Sequence, residues 1–206
     1  MLLRIHPENP GERHLKIITD CLHDGGVVIY PTDTVYGLGC DITKIRAVDR
    51  VAQIKGIRRE KANFSFTCDS LSRLSDFTRP IPNPVYKLMR RALPGPFTFI
   101  LNANNNVPHF FQSRKKTVGI RVPDHRVPLM IVEHLGNPIM TTSLHSEDQV
   151  VDYLTDPEEI YEKFQKVVDI VIDSGHCGNV PSTVIDCTGD EPVVVRQGKG
   201  SVADLF

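Results

Sequence analysis

The chain has no tryptophan and few aromatic residues, 7% of its 206 positions. Base-stacking surfaces interleave aromatics with cations, so their scarcity argues against a sequence reader of single-stranded nucleic acid. Its five cysteines (Cys21, Cys40, Cys68, Cys177 and Cys187) are odd in number, widely spaced and lack any Cys-x-x-Cys pair. That excludes a disulfide framework and a zinc finger, and leads us to expect a cytoplasmic protein. No stretch approaches the ~20 apolar residues of a membrane span. Met1–Pro7 shows no basic stretch leading into a long apolar region, so no secretory signal is expected. Charge of one sign is lacking too: 24 Lys and Arg oppose 25 Asp and Glu. A uniformly basic nucleic-acid coat is therefore ruled out.

What is present suits one globular domain across residues 1–206, with motifs from about 10 to 200. A chain of this length buries roughly 70% of the surface its unfolded form exposes, so it needs no covalent staples. Its charge is unevenly placed. Lys44, Arg46, Arg50, Lys55, Arg58, Arg59 and Lys61 form a basic strip opposed by Asp49 and Glu60, and Arg114, Lys115, Lys116, Arg121 and Arg126 form a second. Acids collect later, at Glu147, Asp148, Asp152, Asp156, Glu158, Glu159, Glu162, Asp169 and Asp173. This split fits an anionic ligand at one surface, and it equally fits two solvated faces.

The apolar pattern alternates between two periods. Leu15, Ile18 and Leu22 recur at helical spacing before Gly25, and Ile45, Val48, Val51, Ala52 and Ile54 before Gly56. Val85–Ala92, Val127–Leu135 and Pro157–Phe164 also read as helices. Strands are predicted at Val27–Tyr30, Phe64–Cys68, Phe97–Leu101, Val118–Val122, Pro138–Thr142, Val167–Asp173, Pro181–Cys187 and Pro192–Arg196. The last strands lack intervening helices, so the pattern predicts an α/β (α+β-like) domain around a mixed sheet.

Polar residues gather at strand ends. Pro31-Thr32-Asp33-Thr34-Val35-Tyr36-Gly37-Leu38-Gly39 follows a buried strand with hydroxyls, a carboxylate and glycines, which suits a ligand site or a capped turn. Lys55-Gly56-Ile57-Arg58-Arg59-Glu60-Lys61 places four cations beside a glycine, able to clamp an anion or to complement a helix C-terminus. It is not a Walker loop, whose spacing occurs nowhere in the chain. Thr141-Thr142-Ser143-Leu144-His145-Ser146 offers hydroxyls and amides at a strand end, as an anion cradle or an N-cap. His176 and Cys177 lack two further ligands, so no metal site is expected. Arg196 ends the last strand.

Taken in order, five segments resemble the YrdC-like family, and in length and detail its YciO branch. They are Gly25–Gly39, Leu93–Thr98, Val118–Pro123, Pro181–Val184 and Arg196–Gly198. The resemblance implies a YrdC/RibB-like twisted mixed sheet with a concave basic cleft. It also implies a threonylcarbamoyl-adenylate synthase-like nucleotidyltransferase linked to the t6A modification of tRNA. Synthases of this type join L-threonine, bicarbonate and ATP with magnesium, and release pyrophosphate. By matching motif positions, Lys55, Thr117, Ser143 and Arg196 would hold the nucleotide. Thr32, Thr34, Arg121, Thr141 and Ser182 would hold threonine, with Arg121 facing its carboxylate. Lys55, Arg58 and Ser143 would be catalytic, with no tightly bound cofactor. The implied alternative is binding of tRNA or double-stranded RNA through Arg50, Lys55, Arg58, Arg59 and Lys61. The match departs from the synthases in four places: Ile57 with Arg58 displaced by one, Ala62-Asn63 in place of Pro-Leu, Phe66 in place of a His, and His145 in place of an Asn. Synthase activity lost, or redirected to another reaction on threonylcarbamoyl groups, follows from those departures.

Overall fold

The computed structural model describes residues 1–59, 64–108, 111, 116–144 and 153–205. Glu60, Lys61, Ala62, Asn63, Arg114, Lys115, His145, Ser146, Glu147, Asp148 and Asp152 lie outside the described residues.

Ten strands form one mixed sheet. In chain order they are β1 (Leu2–Arg4), β2 (Val27–Tyr30), β3 (Gly37–Asp41), β4 (Ser65–Thr67), β5 (Phe97–Asn102), β6 (Thr117–Arg121), β7 (Ile139–Ser143), β8 (Ile170–Asp173), β9 (Thr183–Asp186) and β10 (Val193–Arg196). Their order across the sheet is β1-β8-β2-β3-β7-β4-β6-β5-β9-β10. The pairs β1/β8, β2/β8, β4/β6 and β5/β9 are parallel and the others antiparallel. The mixed α/β architecture read from the pattern is therefore the one observed.

Five helices flank the sheet: α1 (Glu12–His23), α2 (Ile45–Ile54), α3 (Asn83–Ala92), α4 (Arg126–Leu135) and α5 (Pro157–Phe164). Each buries the apolar stripe its spacing predicts; Leu15, Ile18 and Leu22 of α1 are fully buried. Local chemistry fixes the ends. His125 caps α4 by accepting the Val127 N–H on Nδ1 at 3.3 Å, and Gly136, at φ +80°, stops it. Asp156 caps α5 by accepting from the Glu158 N–H at 2.8 Å.

Strand alternation divides the interior. Val28, Tyr30, Ile139, Ile170 and Ile172 pack against α1 and α4. Leu38, Phe66, Phe99, Ile120 and Met140 belong to the larger cluster, which includes Val48 and Val51 of α2 and Val85 and Met89 of α3. Among the described residues α1 and α4 are the helices packed on the first face, and the polar strand residues stand on that face beyond them.

Two strands depart from the sequence expectation. Gly37–Asp41, read as the end of a ligand turn, is the central strand β3, fully buried between β2 and β7. Its glycine content is dictated by crowding: a Cβ on Gly39 would lie 2.6 Å from the Met140 carbonyl oxygen. Leu2–Arg4 adds an edge strand, β1, that its three residues did not announce.

Candidate functional site

Residues opposite one another in register share a face of the sheet. One row crosses five strands as Thr141, Ser65, Gly119, Ile100 and Asp186. The next row carries Thr67 opposite Arg121, and Thr98 opposite Val184, which in turn faces Arg196. Ser143 of β7 and Thr117 of β6 lie two residues further along their strands. All of these line a single cavity of about 1050 Å³. The period-2 pattern thus buries Phe66, Phe99 and Ile120 in the core and presents hydroxyls and cations to the cavity.

At one end Arg121 is nearly buried, with 9% of its surface exposed. Its Nη2 donates to Asp33 Oδ1 at 2.5 Å, to Thr34 Oγ1 at 2.6 Å and to Thr32 Oγ1 at 3.4 Å. Thr32 holds the turn by donating its hydroxyl to the Val35 carbonyl at 2.7 Å and accepting the Thr34 N–H at 3.1 Å. Arg121 Nε and Asp33 Oδ2 are buried and have no hydrogen-bond partner among the described residues. An unpaired donor and acceptor this deeply placed are costly unless something else satisfies them. Arg121 borders the cavity.

The hydroxyl floor is pre-arranged. Tyr30 donates its phenolic proton to Thr141 Oγ1 at 2.7 Å, so Thr67 supplies the proton between its Oγ1 and the Tyr30 oxygen, 2.9 Å apart. Burial raises the Tyr30 pKa, keeping that proton in place. Ser182 shares a hydrogen bond with Thr98 at 2.8 Å, and its carbonyl accepts from Arg196 Nη2 at 2.9 Å and Nε at 3.2 Å. Gly198 must be glycine to let the chain after β10 approach so closely, since a Cβ would lie 2.2 Å from the Pro181 carbonyl oxygen. The Pro181–Val184 and Arg196–Gly198 segments, distant in sequence, are therefore one device that aims Arg196 at the cavity.

Lys55 closes the other side. α2 ends before it, Gly56 turns the chain at φ +68°, and Lys55 Nζ donates to the Ser143 carbonyl at 2.8 Å. Beyond Gly56 the side chains alternate: Ile57 and Arg59 line the cavity, whereas Arg58 is exposed outside it. The one-residue displacement thus places Arg59, held by Asp49 at 2.6 Å, where Arg58 was expected. Arg50 is likewise not at the site. Its guanidinium binds Asp169 at 2.6 Å and the Val167 carbonyl at 2.7 Å.

Lys55, Thr117, Ser143, Arg196, Thr32, Arg121, Thr141 and Ser182 do converge on the cavity, and Thr34 stands behind Arg121. Residues that the sequence reading passed over, among them Tyr30, Ser65, Thr67, Thr98 and Asp186, belong there too. Their signal was polar alternation within strands, as in Ser65-Phe66-Thr67. Phe66 is 1% exposed and packs edge-to-face on Phe77 and Phe111, part of an apolar wall at one side of the cavity. No group of three metal-ligating side chains occurs among the described residues, and no helix among them is long and apolar enough to cross a membrane.

Comparisons with known proteins agree with this architecture. The family model described as Sua5_yciO_yrdC, telomere recombination, matches residues 20–198. The protein YciO of Escherichia coli is 40% identical over 96% of this chain and 95% of its own length. Its crystal structure superposes with a TM-score of 0.93, covering 100% of this chain and 99% of that one. The threonylcarbamoyl-AMP synthase of Pyrococcus abyssi is 31% identical over 91% of this chain, which spans 54% of that enzyme. The crystal structure of P. abyssi Sua5 complexed with L-threonine matches at a TM-score of 0.87 and 30% identity, over 96% of this chain and 57% of that one.

Proposed function

The chain belongs to the Sua5/YciO/YrdC family, and from that premise we propose that its cavity binds an adenine nucleotide together with a threonine-derived carboxylate and handles the threonylcarbamoyl group. The observation that carries this reading is the pair of buried atoms Arg121 Nε and Asp33 Oδ2, without a hydrogen-bond partner among the described residues, beside a cavity that also collects Lys55, Arg59 and Arg196. Arg121 offers a fixed donor to a carboxylate. Asp33 offers an acceptor to the N–H of an amino acid or carbamate. The hydroxyls of Thr32, Thr141 and Ser182 surround the same region. A relative whose crystal structure contains L-threonine supports the assignment.

Lys55, Arg59 and Arg196 supply the positive field that a phosphate requires. In a synthase-type reaction, a carbamate oxygen attacks the α-phosphorus of ATP and pyrophosphate leaves. Fixed cations then lower the barrier, because they already point at the oxygens on which charge grows. Magnesium would travel with the ATP phosphates rather than occupy a protein site. Arg59 in the position expected of Arg58 preserves a cation there, while Ile57 and Phe66 alter the wall. The reading therefore assigns the branch a reaction on threonylcarbamoyl groups without requiring the full synthase set. A tRNA bearing such a group on adenosine would present the same carboxylate. The engagement of Arg50 with Asp169 favours this small-ligand reading over a backbone-tracking RNA surface.

Calorimetry with ATP, AMP, L-threonine and threonylcarbamoyl-AMP tests it. The composite adenylate should bind most tightly, and Lys55→Ala and Arg196→Ala should each weaken it at least about tenfold, the loss of one charge-assisted hydrogen bond. Absence of binding by the unmodified protein, or equal binding by both variants, removes the reading.

A further inference from the structure

Four cations line the cavity, but only one carboxylate does among the described residues: Asp186. It stands in the floor row, on β9, beside Ile100 and two strands from Gly119. A carboxylate in a hollow built for anions repels phosphate, so it needs a different partner. Its geometry is fixed rather than adaptable. Oδ1 accepts both the Thr188 N–H at 2.9 Å and the Thr188 hydroxyl at 2.7 Å. Those two bonds orient the carboxyl group and use one oxygen. Oδ2 accepts no hydrogen bond from the described residues.

Neighbouring groups narrow the choice of partner. Val184, two residues before Asp186, is paired with Arg196, so the strand positions of Asp186 and Arg196 are diagonal neighbours roughly 7–8 Å apart, while the Arg196 guanidinium turns away from Asp186 to the Ser182 carbonyl. Arg121 is farther, about 12 Å by sheet spacing, across two strands and one side-chain repeat. The Arg196 guanidinium is thus set apart from Asp186 by a span that a phosphate together with its sugar ring would bridge, and Asp186 lies away from the carboxylate end. A nucleotide anchored there by its 5′-phosphate brings its sugar hydroxyls, not its distant exocyclic amine, to this oxygen.

We propose that Asp186 is a specificity-determining residue that accepts a hydrogen bond from the ribose hydroxyls of the bound nucleotide, so that the cavity selects ribonucleotides over deoxyribonucleotides. Acidic residues recognise ribose hydroxyls in the same manner in dinucleotide-binding folds, where the carboxylate accepts from the 2′-OH. Thr188 acts as the positioning residue, holding Oδ1 so that Oδ2 faces the ligand. This inference rests on the nucleotide-binding reading above.

Titration calorimetry of the full chain with AMP, 2′-deoxy-AMP and 3′-deoxy-AMP tests both together and separates them. The unmodified protein should bind AMP at least about tenfold more tightly than one or both deoxy analogues, the cost of a charged hydrogen bond. Asp186→Ala should bind all three alike, at the affinity of the weaker analogue. Asp186→Asn keeps an Oδ1 acceptor for Thr188 while replacing the accepting Oδ2 with a donor. It should lose most of the discrimination even if the alanine variant does not fold. Equal affinities in the unmodified protein, or discrimination retained in Asp186→Asn, overturns the role of Asp186 while leaving nucleotide binding intact. Failure of AMP to bind at all overturns the nucleotide reading and this inference with it.

Discussion

Replacing Arg121 by methionine removes one half of a nearly buried ion pair. The side chains of Arg121 and Asp33 are 11% and 10% exposed, and their closest atoms are 2.5 Å apart. After the substitution Asp33 would lose the counter-charge of Arg121, and its Oδ2 already lacks a partner among the described residues. Leaving one member of such a pair unmatched costs about 3–5 kcal/mol. In a domain of this size each kcal/mol lowers the melting temperature by about 2–4 °C, so a fall of roughly 6–20 °C is expected. Asp33→Asn should destabilise less, because Thr34 and Thr32 still accept from the guanidinium. The double variant Arg121→Met/Asp33→Asn removes both charges and should be more stable than Arg121→Met alone, with a coupling of about 2 kcal/mol or more. Urea unfolding of the four proteins, with the slope of each transition compared, measures the cycle. An Arg121→Met cost below about 1 kcal/mol, or strict additivity in the double variant, would refute the claim that this pair is held out of water.

Further outcomes follow from other contacts. Burial lowers the His125 pKa from its ordinary 6.5, so the unfolded chain takes up the proton first as pH falls. Stability should therefore decline on acidification below about 6.5, and the cap on Val127 N–H is lost when Nδ1 is protonated. His125→Asn, which caps without titrating, should show a shallower decline in urea midpoints between pH 7.5 and 5. An identical decline would remove His125 as the cause. Gly119→Ala would place a Cβ 2.5 Å from Ser65 Oγ, and should cost about 1–3 kcal/mol that Ser65→Gly restores. Gly39→Ala meets the Met140 backbone instead, so trimming side chains should not restore it. Thermal melts of the paired variants distinguish the two cases, and rescue of Gly39→Ala would contradict the register of β3 on β7.

Much of the architecture was legible because local pattern and tertiary environment agree. Leu15, Ile18 and Leu22 mark a helix and are buried in one; Val27–Tyr30 reads as a buried strand and is one. β3 was not legible because glycine disfavours strands locally, whereas here the closeness of Met140 and Tyr30 demands glycine. Family motifs led to Lys55, Arg121, Ser182 and Arg196, but not to how they act. The bond from Arg196 to the Ser182 carbonyl joins residues 14 apart, and that from Arg50 to Asp169 joins residues 119 apart. Charge counting along the chain cannot see the second, and so Arg50 reads there as one of a run of open cations. Asp33 reads as the carboxylate of a segment suited to a ligand site or a capped turn, but nothing local reveals that Arg121 folds back onto it.

The most direct test of the account is a crystal structure of the protein with threonylcarbamoyl-AMP. The account predicts the carboxylate against Arg121 Nε, a phosphate oxygen against at least one of Lys55, Arg59 and Arg196, and the sugar hydroxyls beside Asp186. A ligand seated outside the sheet face that carries Thr67, Gly119 and Arg121, or reversed with its phosphate on Arg121, would contradict it.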